Sequence, residues 1–264
     1  MRLNEFTLDE GMMDREYNGS RRQPIETEQA FEFIRSNCRE AIESTPIYRG
    51  VKRSQTDGAK IVDTAGAAPR LSANTHSYVG MLMDNLPGWR GYPKRNKSLI
   101  CTNYQDYAQS YGAVHRMFPI NGTKIGICQD VDVWSSFNGF YVPNLNEALA
   151  ELSKHFLHSK LSETPGEFFS QIELITEHLD QIGGIERASN KHLYKPLITM
   201  SSRLGTNDLK TILAKLMDPV ENEFKLTSIE NFFNITGRRE VWFEGKAVML
   251  PESLWQPFSE FIQA

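Results

Sequence analysis

The chain has 264 residues, of which 40% are hydrophobic and 23% charged, with a formal net charge of -4. That length supports a sizeable buried core, and the slightly acidic balance argues against a broadly basic nucleic-acid surface. No apolar run approaches a membrane span and the N-terminus lacks a signal-peptide core, so a cytoplasmic protein with no membrane partner is expected. Cys38, Cys101 and Cys128 have no CxxC spacing and suggest neither a disulfide framework nor a zinc knot. His155 and His158 form an i,i+3 pair without an acidic or cysteine partner at motif spacing, so a solvated helix face is expected and no metal.

Residues 1–24 are polar and aperiodic and are expected to form a flexible arm. A helix follows, with Thr27 as its cap and Phe31, Ile34, Cys38 and Ile42 on one face, and it ends before Pro46. Ile47–Val51 reads as a strand, 54–74 as loop and 75–85 as a short helix. Ser98–Thr102 reads as a buried strand leading into a helix over 103–111. Strands over 114–120 and 124–128 are joined by the turn Asn121-Gly122.

From 144 to 217 the pattern is helical. Asn144 and Glu147 make a cap pair, Thr164-Pro165 starts a second helix that Gly183-Gly184 stops, and a third begins at Thr206. Near the end, 240–243 and 247–250 flank Glu244-Gly245-Lys246 and read as a hairpin before a short amphipathic helix. The order of elements predicts an α+β fold with mainly antiparallel pairing.

Three distant segments carry the chemistry. Tyr48-Arg49-Gly50 lies on the first strand, and Ser98-Leu99-Ile100-Cys101-Thr102-Asn103 leads into Ala108 and Tyr111-Gly112. Gly237-Arg238-Arg239-Glu240 precedes Val241-Trp242-Phe243. In this order they resemble the three signatures of ADP-ribosyltransferases of the arginine–serine–glutamate class, over about a sixth of the chain.

The resemblance implies a core of two packed, mainly antiparallel β-sheets from about 46–137 and 220–251. An N-terminal helix precedes it, and a helical insertion over about 144–217 completes a single domain spanning 25–264. It implies NAD as substrate, with Arg49 and Gly50, Arg70, Asn74, Ser98 and Thr102 binding it. Glu240, Arg49 and Ser98 would be catalytic, and Arg238 would meet the acceptor. The activity implied is mono-ADP-ribosyl transfer to a host protein or nucleic acid.

The residue types suit that chemistry. An arginine fork can hydrogen-bond a diphosphate at two points and stays charged at any working pH. Breaking the nicotinamide–ribose bond passes through an oxocarbenium-like state. A carboxylate at about 4 Å gains on the order of 4 kcal/mol from that charge at an effective dielectric near 20. Glu240 fits this role better than Glu244, which sits in the turn.

Two departures stand out. Cys101-Thr102-Asn103 aligns with the family's Ser-Thr-Ser, so the serine role could fall to Ser98, to Thr102 or to neither. Arg238 stands where enzymes modifying arginine or asparagine carry Glu or Gln, and it would repel a guanidinium. An anionic acceptor such as nucleic acid fits it better. Lys94 and Arg95 could contact phosphate but read first as solvated loop charges, and Trp89 and Tyr92 could stack on a ring or serve as core or lid packing.

Leu8-Asp9-Glu10 before Gly11 resembles the Leu-x-Glu sites cut by head-maturation proteases of large tailed phages, some of which package ADP-ribosyltransferases. This implies a phage-encoded protein, carried in the virion and acting in the host cytoplasm. The alternative is a non-enzymatic virion or host-binding protein with a degenerate version of the fold. An RNA 2′-phosphotransferase is a further rival, disfavoured by the single acidic motif.

Overall fold

Short β-branched and aromatic runs bounded by Gly, Pro and Asn build most of the sheet. The computed structural model describes residues 22–51, 58–65, 78–188 and 192–264. The fold is α+β, with nine strands and nine α-helices among the described residues. The chain divides into two compact units, 1–70 with 91–132 and 225–264, and 71–90 with 133–224.

The first unit holds all nine strands. These are β1 (Arg22–Ile25), β2 (Ile47–Val51), β3 (Ala59–Asp63), β4 (Leu99–Thr102), β5 (Ala113–Pro119), β6 (Lys124–Ile127), β7 (Lys225–Ser228), β8 (Glu240–Phe243) and β9 (Lys246–Pro251). They form one sheet in the order β1-β3-β9-β5-β2-β4-β8-β6-β7. Every pairing is antiparallel.

Instead of the two separate sheets expected, the strands are hydrogen-bonded in a single series. The join between β2 and β4 is narrow, however, resting on the pair Tyr48↔Thr102. Two halves therefore meet there, β1-β3-β9-β5-β2 and β4-β8-β6-β7. The core draws on both, with Ile47, Met117 and Met249 from one and Leu99, Cys101, Val241 and Phe243 from the other.

Both expected hairpins are corrected. β5 pairs with β2 and β9, while β6 pairs with β7 and β8. Likewise β8 pairs with β4 and β6, and β9 with β3 and β5. The turns at Gly122 and Gly245, both at positive φ, are thus corners between the two halves. At the second corner Thr64 Oγ1 accepts the Gly245 N–H at 2.7 Å and the Thr64 N–H donates to Gly245 O at 3.1 Å. The turn is bound to the end of β3, and β9 continues along that strand.

Three more expectations change. Residues 22–24, read as arm, belong to β1, and 59–63, read as loop, form β3, paired on one side with β1 and on the other with β9. The first helix is α1 (Thr27–Asn37), whose cap position is Glu26, and it breaks at Cys38 before α2 (Arg39–Glu43).

The carboxyl-terminal helix runs over Trp255–Gln263. Its Phe258 ring lies edge-on to Phe31 at 5.3 Å and to Phe118 at 5.2 Å, so the helix packs on α1 and β5.

The second unit is helical. It contains α3 (Tyr78–Asn85), α5 (Val142–Leu157), α6 (Pro165–Ile182), α7 (Lys195–Leu204) and α8 (Leu209–Leu216). With α4 (Gln105–Gln109) in the first unit, the Trp255–Gln263 helix becomes α9. The expected stripes Leu145, Leu149 and Leu152, and Phe168, Ile172, Ile175 and Leu179, are buried.

Thr164 and Gly183 flank α6 as expected, the glycine at φ 83°. Proline at the first turn starts α5 at Val142 rather than at Asn144. The cap of α8 is Asp208, whose carboxylate accepts the Lys210 N–H at 3.1 Å. His158 closes α5 in the left-handed region, and no metal-ligating group appears among the described residues. No helix of the described residues is long and apolar enough to cross a membrane.

Candidate active site

Register brings the three segments of the sequence together. Tyr48 lies opposite Thr102, and Thr102 lies opposite Glu240, so β2, β4 and β8 are consecutive and these three residues form one row. Directly opposed residues share a face of a sheet.

The loop before Glu240 is tied to the end of β4. Thr102 Oγ1 donates to Arg239 O at 3.0 Å, Asn103 Nδ2 to Gly237 O at 2.9 Å, and the Arg239 N–H to Asn103 Oδ1 at 2.8 Å. Asn103, which departs from the family's serine, is therefore a brace that fixes where Glu240 begins.

Glu240 is buried. Its N–H donates to Asp130 O at 3.0 Å and its carbonyl accepts the Cys128 N–H at 2.9 Å. Arg95 Nη1 meets Glu240 Oε1 at 2.6 Å, with side chains 14% and 10% exposed. The Cys128 thiol donates to the same oxygen at 3.5 Å. Among the described residues neither contact uses Oε2.

Arg95 is thus no solvated loop charge. It belongs to a strap over β8. Trp242 Nε1 donates to Pro93 O at 2.9 Å, the Tyr92 ring stacks on Trp242 at 6.2 Å, and the Arg95 guanidinium lies 5.5 Å from the Trp242 ring. Trp242 in turn covers Gly126, where a Cβ would fall 2.3 Å from the indole. The available signal in the sequence was Tyr92-Pro93, an aromatic and a stiff residue just before a buried strand. Their partner, Trp242, is 149 positions from Pro93, and local reading does not find it.

Ser98 is fully buried, and its hydroxyl donates to Lys94 O at 2.8 Å. It stands just before β4, four residues from Thr102, about 13 Å along an extended chain. The structure does not bring it to Glu240; it holds the turn that carries Arg95. Thr102 occupies the position beside the carboxylate. Glu244 accepts the Lys94 N–H, so it supports the strap as well.

Arg49 Nη1 donates to Ile100 O, spanning the two halves where the ladder between β2 and β4 runs out. Gly50 meets the chain: a Cβ there would fall 2.1 Å from Ala108 O, so α4 lies against β2. Arg238 is exposed, with its guanidinium 4.2 Å above the Tyr104 ring and Nη2 donating to the Tyr104 hydroxyl at 3.2 Å. Burial, the hydrogen bond to Tyr111 and, more weakly, the Glu240 charge push the Tyr107 hydroxyl up from its ordinary value. Arg70, Asn74 and the Leu8-Asp9-Glu10 tripeptide lie outside the described residues.

His115 faces Arg49 across the β2–β5 pair. It is fully buried, Nδ1 lies 3.0 Å from Ala113 O, and Nε2 has no hydrogen-bond partner among the described residues. Burial holds its pKa below the usual value; the Ala113 hydrogen bond opposes this, while Lys60, Arg22 and Arg49 add to it.

An unfolded histidine titrates near 6.5. Between the lowered folded value and about 6.5 the unfolded chain binds more protons, so stability rises with pH across that window. Stability should therefore fall as pH drops below about 6.5, and His115→Asn should flatten that fall in urea unfolding at pH 7.5 and 5.5. An equally steep fall in the variant would rule out His115 as its source.

Comparison with known proteins finds no matching family model, no matching curated protein and no matching solved structure.

Proposed function

We propose that the chain is a mono-ADP-ribosyltransferase that cleaves NAD and transfers ADP-ribose to a macromolecular acceptor. The observation that supports this reading most is the row Tyr48, Thr102, Glu240 on adjacent strands. It unites the three segments that carry the family resemblance. In this reading the two half-sheets correspond to the two sheets of an ADP-ribosyltransferase core, with Arg49 at their join binding the diphosphate.

In the reaction the C1′–nicotinamide bond breaks and nicotinamide leaves with the bonding electrons. An acceptor nucleophile then bonds to C1′ and releases its proton to solvent. The Glu240 carboxylate stabilises the ribose charge and takes the 2′-hydroxyl hydrogen bond through Oε2, while Arg95 holds Oε1. Arg238, exposed and cationic, favours an anionic acceptor such as nucleic acid. A phage effector acting on host components fits these roles.

Arg95 is then a positioning residue. Arg95→Met should lower kcat roughly a hundredfold by loosening the carboxylate, with KM for NAD changed far less. An unchanged kcat would remove Arg95 from the account.

The Arg95–Glu240 pair also favours a second reading, a non-enzymatic virion or host-binding protein in which the carboxylate is only structural. Incubation with adenylate-labelled NAD and a bacterial lysate separates the two. The enzyme reading predicts labelled protein or nucleic acid, and absence of label with folded protein supports the second.

A further inference from the structure

Arg116 sits within β5 between Tyr48 of β2 and Leu250 of β9. Its guanidinium lies 4.7 Å from the Phe118 ring centroid. Among the described residues it has no ion pair, and its Nε is buried without a hydrogen-bond partner. Burial lowers its pKa, an effect that the neighbouring Tyr48 opposes.

Acids on α2, on α9 and just before α9 have other partners. Glu43 takes Arg39, Glu252 takes Gln105, and Glu260 takes Gln256. The guanidinium is half-buried, and an aromatic face offsets only part of the cost of a charge with no ion pair among the described residues.

Arg116 lines a cavity between β5, α2 and α9, together with Ile42, Phe118, Trp255, Phe258 and Ile262. It is a depression partly open to solvent, and its volume of about 130 Å³ is that of roughly one ring. Arg116 stands on a mainly apolar wall that also carries Ser259 and Gln263, which matches an anion with an apolar body of about one ring in size.

We propose that this cavity binds a small monocarboxylate bearing a single aromatic ring or a short alkyl chain. The carboxylate pairs with the Arg116 guanidinium, and the apolar body packs on Trp255 and Phe258. Arg116 stands opposite Tyr48, three strands along the row from Glu240, and binding here does not depend on NAD cleavage.

Benzoate is the probe, titrated into the full chain while the Trp255 indole N–H is followed by NMR; Trp255→Phe assigns that signal. Benzoate should shift it saturably, and benzyl alcohol, of similar size without charge, should bind at least about tenfold more weakly. Arg116→Met should bring benzoate down to the alcohol's affinity. No saturable shift, equal binding of the two probes by the wild type, or undiminished benzoate binding by the variant would each overturn the proposal. If Arg116→Met fails to fold, the comparison of probes on the wild type still decides.

Discussion

Glu240→Gln should lower nicotinamide release from NAD by about a hundred- to thousandfold, the loss expected when a charge aimed at a developing cation is neutralised. The change is nearly isosteric and keeps a hydrogen-bonding side chain opposite Thr102. It also removes the anion that Arg95 meets at 2.6 Å. Leaving one partner of a largely buried pair uncompensated costs about 3–5 kcal/mol of stability.

The two effects separate in the double variant Arg95→Met/Glu240→Gln. It should recover much of the stability and none of the activity. Urea unfolding and nicotinamide release, measured on the same preparations, check this. A double variant with restored turnover would show that the Glu240 charge is not needed for the chemistry. Glu244→Gln provides the comparison, because Glu244 accepts a backbone N–H of the strap. It should keep its rate within about threefold, a change of well under 1 kcal/mol; a collapse there with Glu240→Gln unaffected would move the assignment to Glu244.

Gly50→Ala should destabilise the first unit by about 3 kcal/mol, at the upper end for overpacking. The new Cβ would sit 2.1 Å from Ala108 O and 2.8 Å from Tyr111 Cβ. A backbone carbonyl cannot rotate away as a side chain can, so α4 must lift from β2. Gly80→Ala, in α3, meets nothing within 4 Å and should be neutral or stabilise by about 0.5–1 kcal/mol. Thermal unfolding of the two variants gives the contrast. Equal midpoints would mean that α4 does not rest on Gly50.

The strands of the candidate site were legible because each is a short apolar run with a clear stop. Ile47–Val51, Leu99–Thr102 and Glu240–Phe243 lie where the pattern places them. Pairing was not legible in the same way. Asn121-Gly122 and Glu244-Gly245 specify tight turns, but turn chemistry does not say whether the flanking strands bond each other or part. Burial decided it: β9 is buried from Ala247 through Pro251 and needs a strand on both sides, which β3 and β5 provide.

Ala59–Asp63 was missed because its surroundings are rich in Gly, Ser and Thr, and its strand character comes from β1 and β9 on its two sides. The site divides likewise. Arg49, Thr102 and Glu240 stand in motifs whose order can be read along the chain. Arg95 gains its role from folding, since only the strap over Trp242 carries it to Glu240. Ser98, a candidate by its place in the second segment, is spent on the Lys94 carbonyl at the other end of the strand.

The account rests on Glu240 as the carboxylate that meets the ribose of NAD. Nicotinamide released from NAD by the wild-type chain and by Glu240→Gln, side by side with a bacterial lysate as acceptor, tests this most directly. The account predicts steady release by the wild type and about a hundredfold less or lower from the variant. Folded wild-type protein that releases no more nicotinamide than Glu240→Gln would contradict it.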